Sequence, residues 1–195
     1  RFADDALLTE VADAQGLDDA LLQRLASRVV ALHESAEVCA DPKGAARLQE
    51  VVDGNLGSMT AFPDLIEPTL AHTLTSRLTD MIVMHTTLLD DRAARGRVRH
   101  GHGDLHLANI AIIDDEPVPF DCLEFDSEMA TTDVLYDLAF LVMDLWARGL
   151  RHEANVVVNT YLDDSPADEA GFALLPLVIG VRATVRAHVC AAEQK

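Results

Sequence analysis

Lysine is almost missing from this chain. Only Lys43 and Lys195 occur in 195 residues, and 15 basic side chains face 33 acidic ones, for a formal net charge of −18. A surface so short of positive charge lacks the basic footprint that nucleic-acid binding needs, which excludes that class of partner. The acidity could steer a polycationic ligand, but acidic residues scattered along the whole sequence are explained more simply by solubility. Cysteine is scarce as well. Cys39, Cys122 and Cys190 are odd in number and lack paired spacing, which points to reduced thiols and a cytoplasmic setting rather than a disulfide framework. Cys122 reads as a small packing residue. No apolar run approaches the roughly 18 residues of a membrane span and no signal peptide is visible, so no membrane partner is expected. Also missing are a Gly-rich loop after a strand, a Walker A sequence, internal repeats and low-complexity tracts.

What is present is enough apolar sequence, 49% of residues, to bury one sizeable core in a single domain. Its periodicity is mainly helical. Residues 4–14 form a short amphipathic segment ending near Gly16, and Asp18 and Asp19 cap a helix with Leu21, Leu22, Leu25, Val29 and Leu32 at helical spacing. Residues 37–44 read as a loop, and residues 53–63, with two glycines and an Asn, as a plain connector. One long helix is expected over residues 68–95, with Leu70, Leu74, Leu78, Met81, Ile82 and Leu88 facing the core and Asp90, Asp91, Arg92, Arg95 and Arg97 marking its polar end. Thr131, Thr132 and Asp133 supply cap chemistry for a helix through Trp146. Two more helices, residues 153–161 and 171–192, flank an acidic loop at residues 163–166.

The chemistry concentrates in residues 97–121. His102-Gly103-Asp104-Leu105-His106-Leu107-Ala108-Asn109 matches the pattern H-R-D-L-x-x-x-N at every fixed position except the Arg, here Gly103, and Asp121 follows across a short hairpin. Phosphoryl transfer asks a protein to orient a nucleophile and to neutralise charge on phosphate oxygens. Asp104 can accept the proton of an attacking hydroxyl, while Asn109 and Asp121 offer the hard oxygens that Mg²⁺ prefers. Residues 98–100 can form an incoming strand, and residues 110–113 and 117–121 the arms of a hairpin around residues 114–116, so that paired strands hold the loop ends.

At these residues the chain resembles the aminoglycoside phosphotransferase and choline kinase-like family of the protein kinase-like fold. Gly103 in place of Arg is typical of that branch, and the segment from Asp133 to Ala139 is similar to its following helix. So is the stretch ending in Leu32-His33 to the family's helix that ends in a Leu-His pair. The likeness is closest to a bacterial subfamily with a Phe-Asp-x-x-Glu-Phe-Asp segment, here residues 120–126, whose members often carry an additional P-loop ATP-binding domain. The resemblance implies a mainly α (α+β) kinase-like C-terminal lobe over residues 1–195, a helical bundle whose small β-hairpin carries the catalytic loop. It implies a small-molecule phosphotransferase that moves the γ-phosphate of ATP, or of GTP, to a hydroxyl acceptor. Asp104 is then the base, Asn109 and Asp121 the Mg²⁺ ligands, and Asp137 the buried aspartate that braces the loop. His102 supports the loop. His106 stands where protein kinases carry a Lys, and phosphate contact and plain packing are both open for it. Glu124 and Asp126 are placed to assist the metal or to lie in a solvated acidic loop, and residues 53–63 fall where the family shapes its acceptor side. The expected N-terminal lobe, with its phosphate-holding Lys, has no counterpart in these residues, so the chain alone is expected to be weak or inert.

Two rival readings use the same residues. His100, His102, Asp104 and His106 give H-x-H-x-D-x-H, superficially a zinc-hydrolase cluster in which strand alternation sets the first three on one face. It is out of register with the metallo-hydrolase pattern H-x-H-x-D-H, and it leaves Asn109 and Asp121 without roles. The other reading is a kinase-like relic that binds a nucleotide or partner without turnover.

Overall fold

A helix that is apolar on every side is stable only inside a protein. The computed structural model describes residues 6–41, 43–123 and 130–194, and it places such a helix at the centre: every residue from Val134 to Leu145 is buried, including two aspartates. In chain order the elements are α1 (Leu8–Gln15), α2 (Asp19–Ser35), α3 (Gly44–Thr60), α4 (Pro68–Met84), α5 (Thr86–Ala94), β1 (Val98–His100), a 3₁₀ turn (Leu107–Asn109), β2 (Ile110–Ile113) and β3 (Glu116–Pro119). They continue with β4 (Thr131–Asp133), α6 (Val134–Ala147), α7 (Arg151–Asp164), a 3₁₀ segment (Pro166–Leu174) and α8 (Leu175–Glu193). The described residues are mainly helical, with two small antiparallel sheets, β1–β4 and β2–β3. α7 and α8 pack on α6, α2 packs on α7, and α3 joins α4, α5 and α8.

Local chemistry sets several boundaries. Asp18 Oδ1 accepts from Leu21 N–H at 2.7 Å to start α2. The Glu67 carboxylate accepts from Thr69 and Leu70 N–H ahead of Pro68, which needs no partner at the first helical position. Asp133 Oδ1 accepts from Leu135 N–H to start α6. Gly16, at φ +77°, closes α1. In the β2–β3 hairpin Ile113 pairs with Glu116, so the turn is Asp114-Asp115 alone, both at positive φ (+52° and +64°), the type I′ geometry that matches strand twist.

Tertiary partners override local preference elsewhere. Residues 53–60 are not a connector but the last turns of α3. Asn55 is buried there, its Nδ2 donating to Thr184 Oγ1 at 3.0 Å and its Oδ1 lying 3.3 Å from His188 Nε2, which ties α3 to α8. The long helix expected over residues 68–95 is two helices broken at His85, where Thr86 Oγ1 takes up the Ile82 and Val83 carbonyls. The buried face of α4 is Ala71, Thr75, Leu78 and Ile82, while Leu70 and Leu74 are 52% and 38% exposed. That face meets α3 and α8, and the place beneath the loop belongs to α6. The segment Pro166–Glu193, 28 residues with a mean hydropathy of 1.5 in its most apolar window, is long and apolar enough to cross a membrane by length and composition. This corrects the expectation that no such run exists; here it lays Leu177, Val178 and Val181 into the core.

Arg92 and Arg97, expected at a polar helix end, are buried. Arg92 grips Asp133 with two hydrogen bonds of 2.7 Å and reaches Asp168 at 2.8 Å. Arg97 holds both oxygens of Asp168 and also Glu34 at 2.6 Å. Burial pushes the Asp168 carboxyl up, but hydrogen bonds from Arg97 and Ser165 and the charge of Arg92 outweigh it and hold the group below the usual carboxylate range. This network fastens α2, α5, the residue before β1 and the start of α6 to the Pro166–Leu174 segment. Asp168→Ala leaves two buried guanidinium groups short of a counter-charge and is expected to cost about 3–5 kcal/mol of unfolding free energy in urea denaturation.

Candidate functional site

The loop from Gly101 to Asn109 leaves β1 and enters β2, and α6 holds it from below at both ends. Asp137, 1% exposed, accepts from Gly103 N–H at Oδ1 and from His102 N–H at Oδ2, each at 2.9 Å. One helical heptad further on, Asp144 Oδ2 accepts from Leu107 N–H at 3.0 Å. Two glycines make this approach feasible. A Cβ on Gly101 would lie 2.8 Å from Asp137 Oδ2, and one on Gly103, at φ +79°, would lie 2.7 Å from Leu123 Cδ1. A side chain at the position where protein kinases carry Arg would have to displace Leu123 and adopt a left-handed backbone.

Asp137 is itself anchored. His33 Nε2 lies 3.1 Å from Oδ2 and Nδ1 lies 2.8 Å from Tyr161 Oη, whose hydroxyl donates to Asp168 at 3.3 Å. Arg182 Nη2 sits 3.6 Å from Asp137 Oδ1. Burial pushes the Asp137 carboxyl up, but the His33 contact, the Arg182 charge and the His102 N–H prevail and hold it at about 2.

Above this base, Asp104 is half-buried. Asn109 Nδ2 donates to its Oδ2 at 2.9 Å and to its carbonyl at 3.0 Å. His106 Nε2 lies 3.4 Å from the same Oδ2. His106 Nδ1 accepts from Ala108 N–H, so the ring proton sits on Nε2, facing the carboxylate, while the ring packs 5.2 Å from that of Phe140. The His106 contact, with help from Asn109 and the Arg182 charge, overcomes desolvation and lowers the Asp104 pKa. Asp104 is thus ionised at neutral pH, with Oδ2 held and Oδ1 free of any partner among the described residues.

His102 Nε2 donates to Phe120 O at 2.9 Å, and Phe120 N–H donates to Asn109 O at 2.9 Å. Pairing past the hairpin therefore places Asp121, exposed and at φ +58°, at the same end of β2–β3 as Asn109. Asn109 Oδ1 has no partner among the described residues, so Asn109 and Asp121 present two hard oxygens. That donor set suits Mg²⁺, which keeps several waters and shares its remaining positions with phosphates.

Among the described residues no three His, Cys, Asp or Glu side chains converge as a metal cage. In particular the zinc set does not assemble: His100 Nδ1 lies 3.4 Å from Thr131 Oγ1, while His102 turns to Phe120 O and Asp104 to Asn109. Glu124 and Asp126 lie outside the described residues. Cys122 is exposed, not a packing residue. Asp144 and Arg182 were missed in the sequence. Their signal was faint: a second Asp seven residues after Asp137 in an otherwise apolar helix, and a lone Arg within an apolar run.

No family model matches the chain, and no solved structure matches it. The chain is similar to an uncharacterized protein of Mycobacterium bovis and to uncharacterized proteins of two Mycobacterium tuberculosis strains, each 37% identical over 102 residues. That stretch is 52% of this chain and 20% of each relative, so the match spans about a fifth of the length of the curated relatives.

Because Asp137 sits near pH 2 when folded and at an ordinary 3.8 otherwise, its contribution to stability is complete above pH 3.8 and fades as pH falls toward 2. Asp137→Asn is expected to flatten stability against pH across that window. It should also speed exchange of the His102 and Gly103 amides, measured by hydrogen-exchange NMR.

Proposed function

We propose that this chain is the C-terminal lobe of a small-molecule phosphotransferase of the aminoglycoside phosphotransferase and choline kinase-like kind. The observation that carries the reading is the division of labour in Asp104: one oxygen is held by Asn109 and His106, and the other has no partner among the described residues. A general base must be ionised, rigidly aimed and able to accept one proton, and this carboxylate meets all three conditions.

In the proposed reaction the acceptor hydroxyl gives its proton to Asp104 Oδ1 as its oxygen bonds to the γ-phosphorus of ATP, or of GTP. The bond from that phosphorus to the β–γ bridging oxygen breaks, and the nucleoside diphosphate leaves. Asn109 and Asp121 would hold Mg²⁺, which supplies charge neutralisation to the phosphates when bound. His102 and Asp137 act on the loop rather than on the reactants. His106 positions Asp104 through Nε2. The hydroxyl acceptor, the nucleotide and a cytoplasmic setting belong to the same proposal.

The test uses the chain joined to a nucleotide-holding lobe, with Mg²⁺·ATP and a panel of hydroxyl acceptors. Asp104→Ala is expected to lower transfer by about 10²–10⁴-fold while nucleotide affinity stays near that of the native protein. Asp121→Ala should weaken Mg²⁺·nucleotide binding as well. Nucleotide binding with no Asp104-dependent transfer would favour a binding module, and neither binding nor transfer would end the kinase reading.

A further inference from the structure

A cavity of about 650 Å³ opens beside the loop, walled among the described residues by α3, α8 and the loop itself, with Arg47, Asn55, Gly103, Tyr136 and Arg182 in its wall. That volume suits a small metabolite. Gly103, the residue before Asp104 in the chain, is the point at which the loop borders this cavity.

Arg182 faces the charge of Asp137 across 3.6 Å, but its hydrogen-bond donors are only partly used. Arg182 is 5% exposed, and of its five N–H groups only Nε–H meets an acceptor among the described residues, Tyr136 O at 3.0 Å. Its guanidinium lies 3.9 Å from the Tyr136 ring centroid and 4.6 Å from that of Phe140, which holds it in place without using its hydrogens. Nη2 is buried without a hydrogen bond. The 3.6 Å approach to Asp137 Oδ1 is too long to count as one, and both Asp137 oxygens already serve the loop and His33. Arg47 Nε is a second buried donor without a partner.

The other ionisable groups of the wall do not answer these donors. Asp133 is taken by Arg92, and Asp41 lies 3.7 Å from Arg47 Nη2. Burial lowers the His188 pKa and leaves that ring neutral at pH 7. Glu50 and Lys43 are exposed and cancel in sign. A buried Nη2 without an acceptor is costly, and a planar fork of this kind suits an oxyanion.

We propose that the cavity binds the phosphate acceptor through an oxyanion, a carboxylate or phosphate that the acceptor carries beside its hydroxyl, and that Arg182 is the principal donor to it. The proposal rests on the phosphotransferase reading for the word acceptor, and on Arg182 alone for the anion. A polycationic acceptor of the aminoglycoside type would meet a like charge at Arg182.

The test is an NMR titration of the ¹⁵N-labelled chain, without nucleotide or turnover, so its failure would leave the kinase reading standing and the failure of that reading would leave the anion site standing. Inorganic phosphate and acetate are expected to shift the Arg182 Nε–H and Gly103 amide signals saturably at millimolar concentration, while sodium chloride of equal ionic strength and choline do not. In Arg182→Met, which keeps the stack on Tyr136, phosphate affinity should fall at least tenfold. The native titration decides the matter even should that variant misfold. Saturable shifts with choline, phosphate shifts confined to Asn109 and its neighbours, equal shifts with chloride, or displacement of phosphate from Arg182 by Mg²⁺·ADP would each overturn the proposal.

Discussion

Everything at the candidate site hangs on one carboxylate accepting two backbone N–H groups. Asp137 carries its charge to the middle of the protein, where desolvation opposes it, and remains ionised because both oxygens are fully engaged. Charge-assisted bonds of this kind are roughly twice as strong as neutral ones. They also fix the direction in which the chain leaves Gly103, and hence where the Asp104 side chain emerges. Without Asp137 two buried amides would lose their acceptor, at about 1–3 kcal/mol each.

Around that contact the fold is built as a set of restraints on α6. Asp133 at its first cap meets Arg92, Asp137 meets the loop and His33, and Asp144 meets the loop's far side. His33 and Tyr161 then carry the connection out to Asp168, where Arg92 of α5 and Arg97, just ahead of β1, converge. The aspartate that caps this apolar helix therefore binds α5, and the two within it bind the two ends of the loop. The helix is hydrophobic enough to be buried anyway, so its few charges are free to act as fasteners.

Features whose physics is local were legible in the sequence. The caps at Asp18 and Asp133 and the existence of the hairpin depend on residues a few positions apart; the caps stand where expected, and the hairpin's turn is tighter by one residue, with Glu116 in its second strand. Asp137 was legible through resemblance rather than pattern. What the sequence concealed depends on distant partners. Gly54, Asn55 and Gly57 read as a connector because nothing nearby announces the Thr184 and His188 contacts that hold α3 together. Arg92 and Arg97 read as a solvated helix end because their acid, Asp168, lies more than seventy positions away. The stripe of α4 was misplaced because its buried face uses the small residues Ala71 and Thr75, so the larger Leu70 and Leu74 drew the assignment to the wrong side.

Asp121 has a consequence for how such a chain would change over generations. Its backbone is held in the left-handed region, which Gly, Asn and Asp enter most readily, and its exposure means that no packing calls for a carboxylate there. The fold by itself would accept any of the three at this position. A lineage released from any need for a charged oxygen at Asp121 should therefore drift among them at little cost in stability. Keeping the aspartate alone would then be a record of selection acting on chemistry rather than on folding.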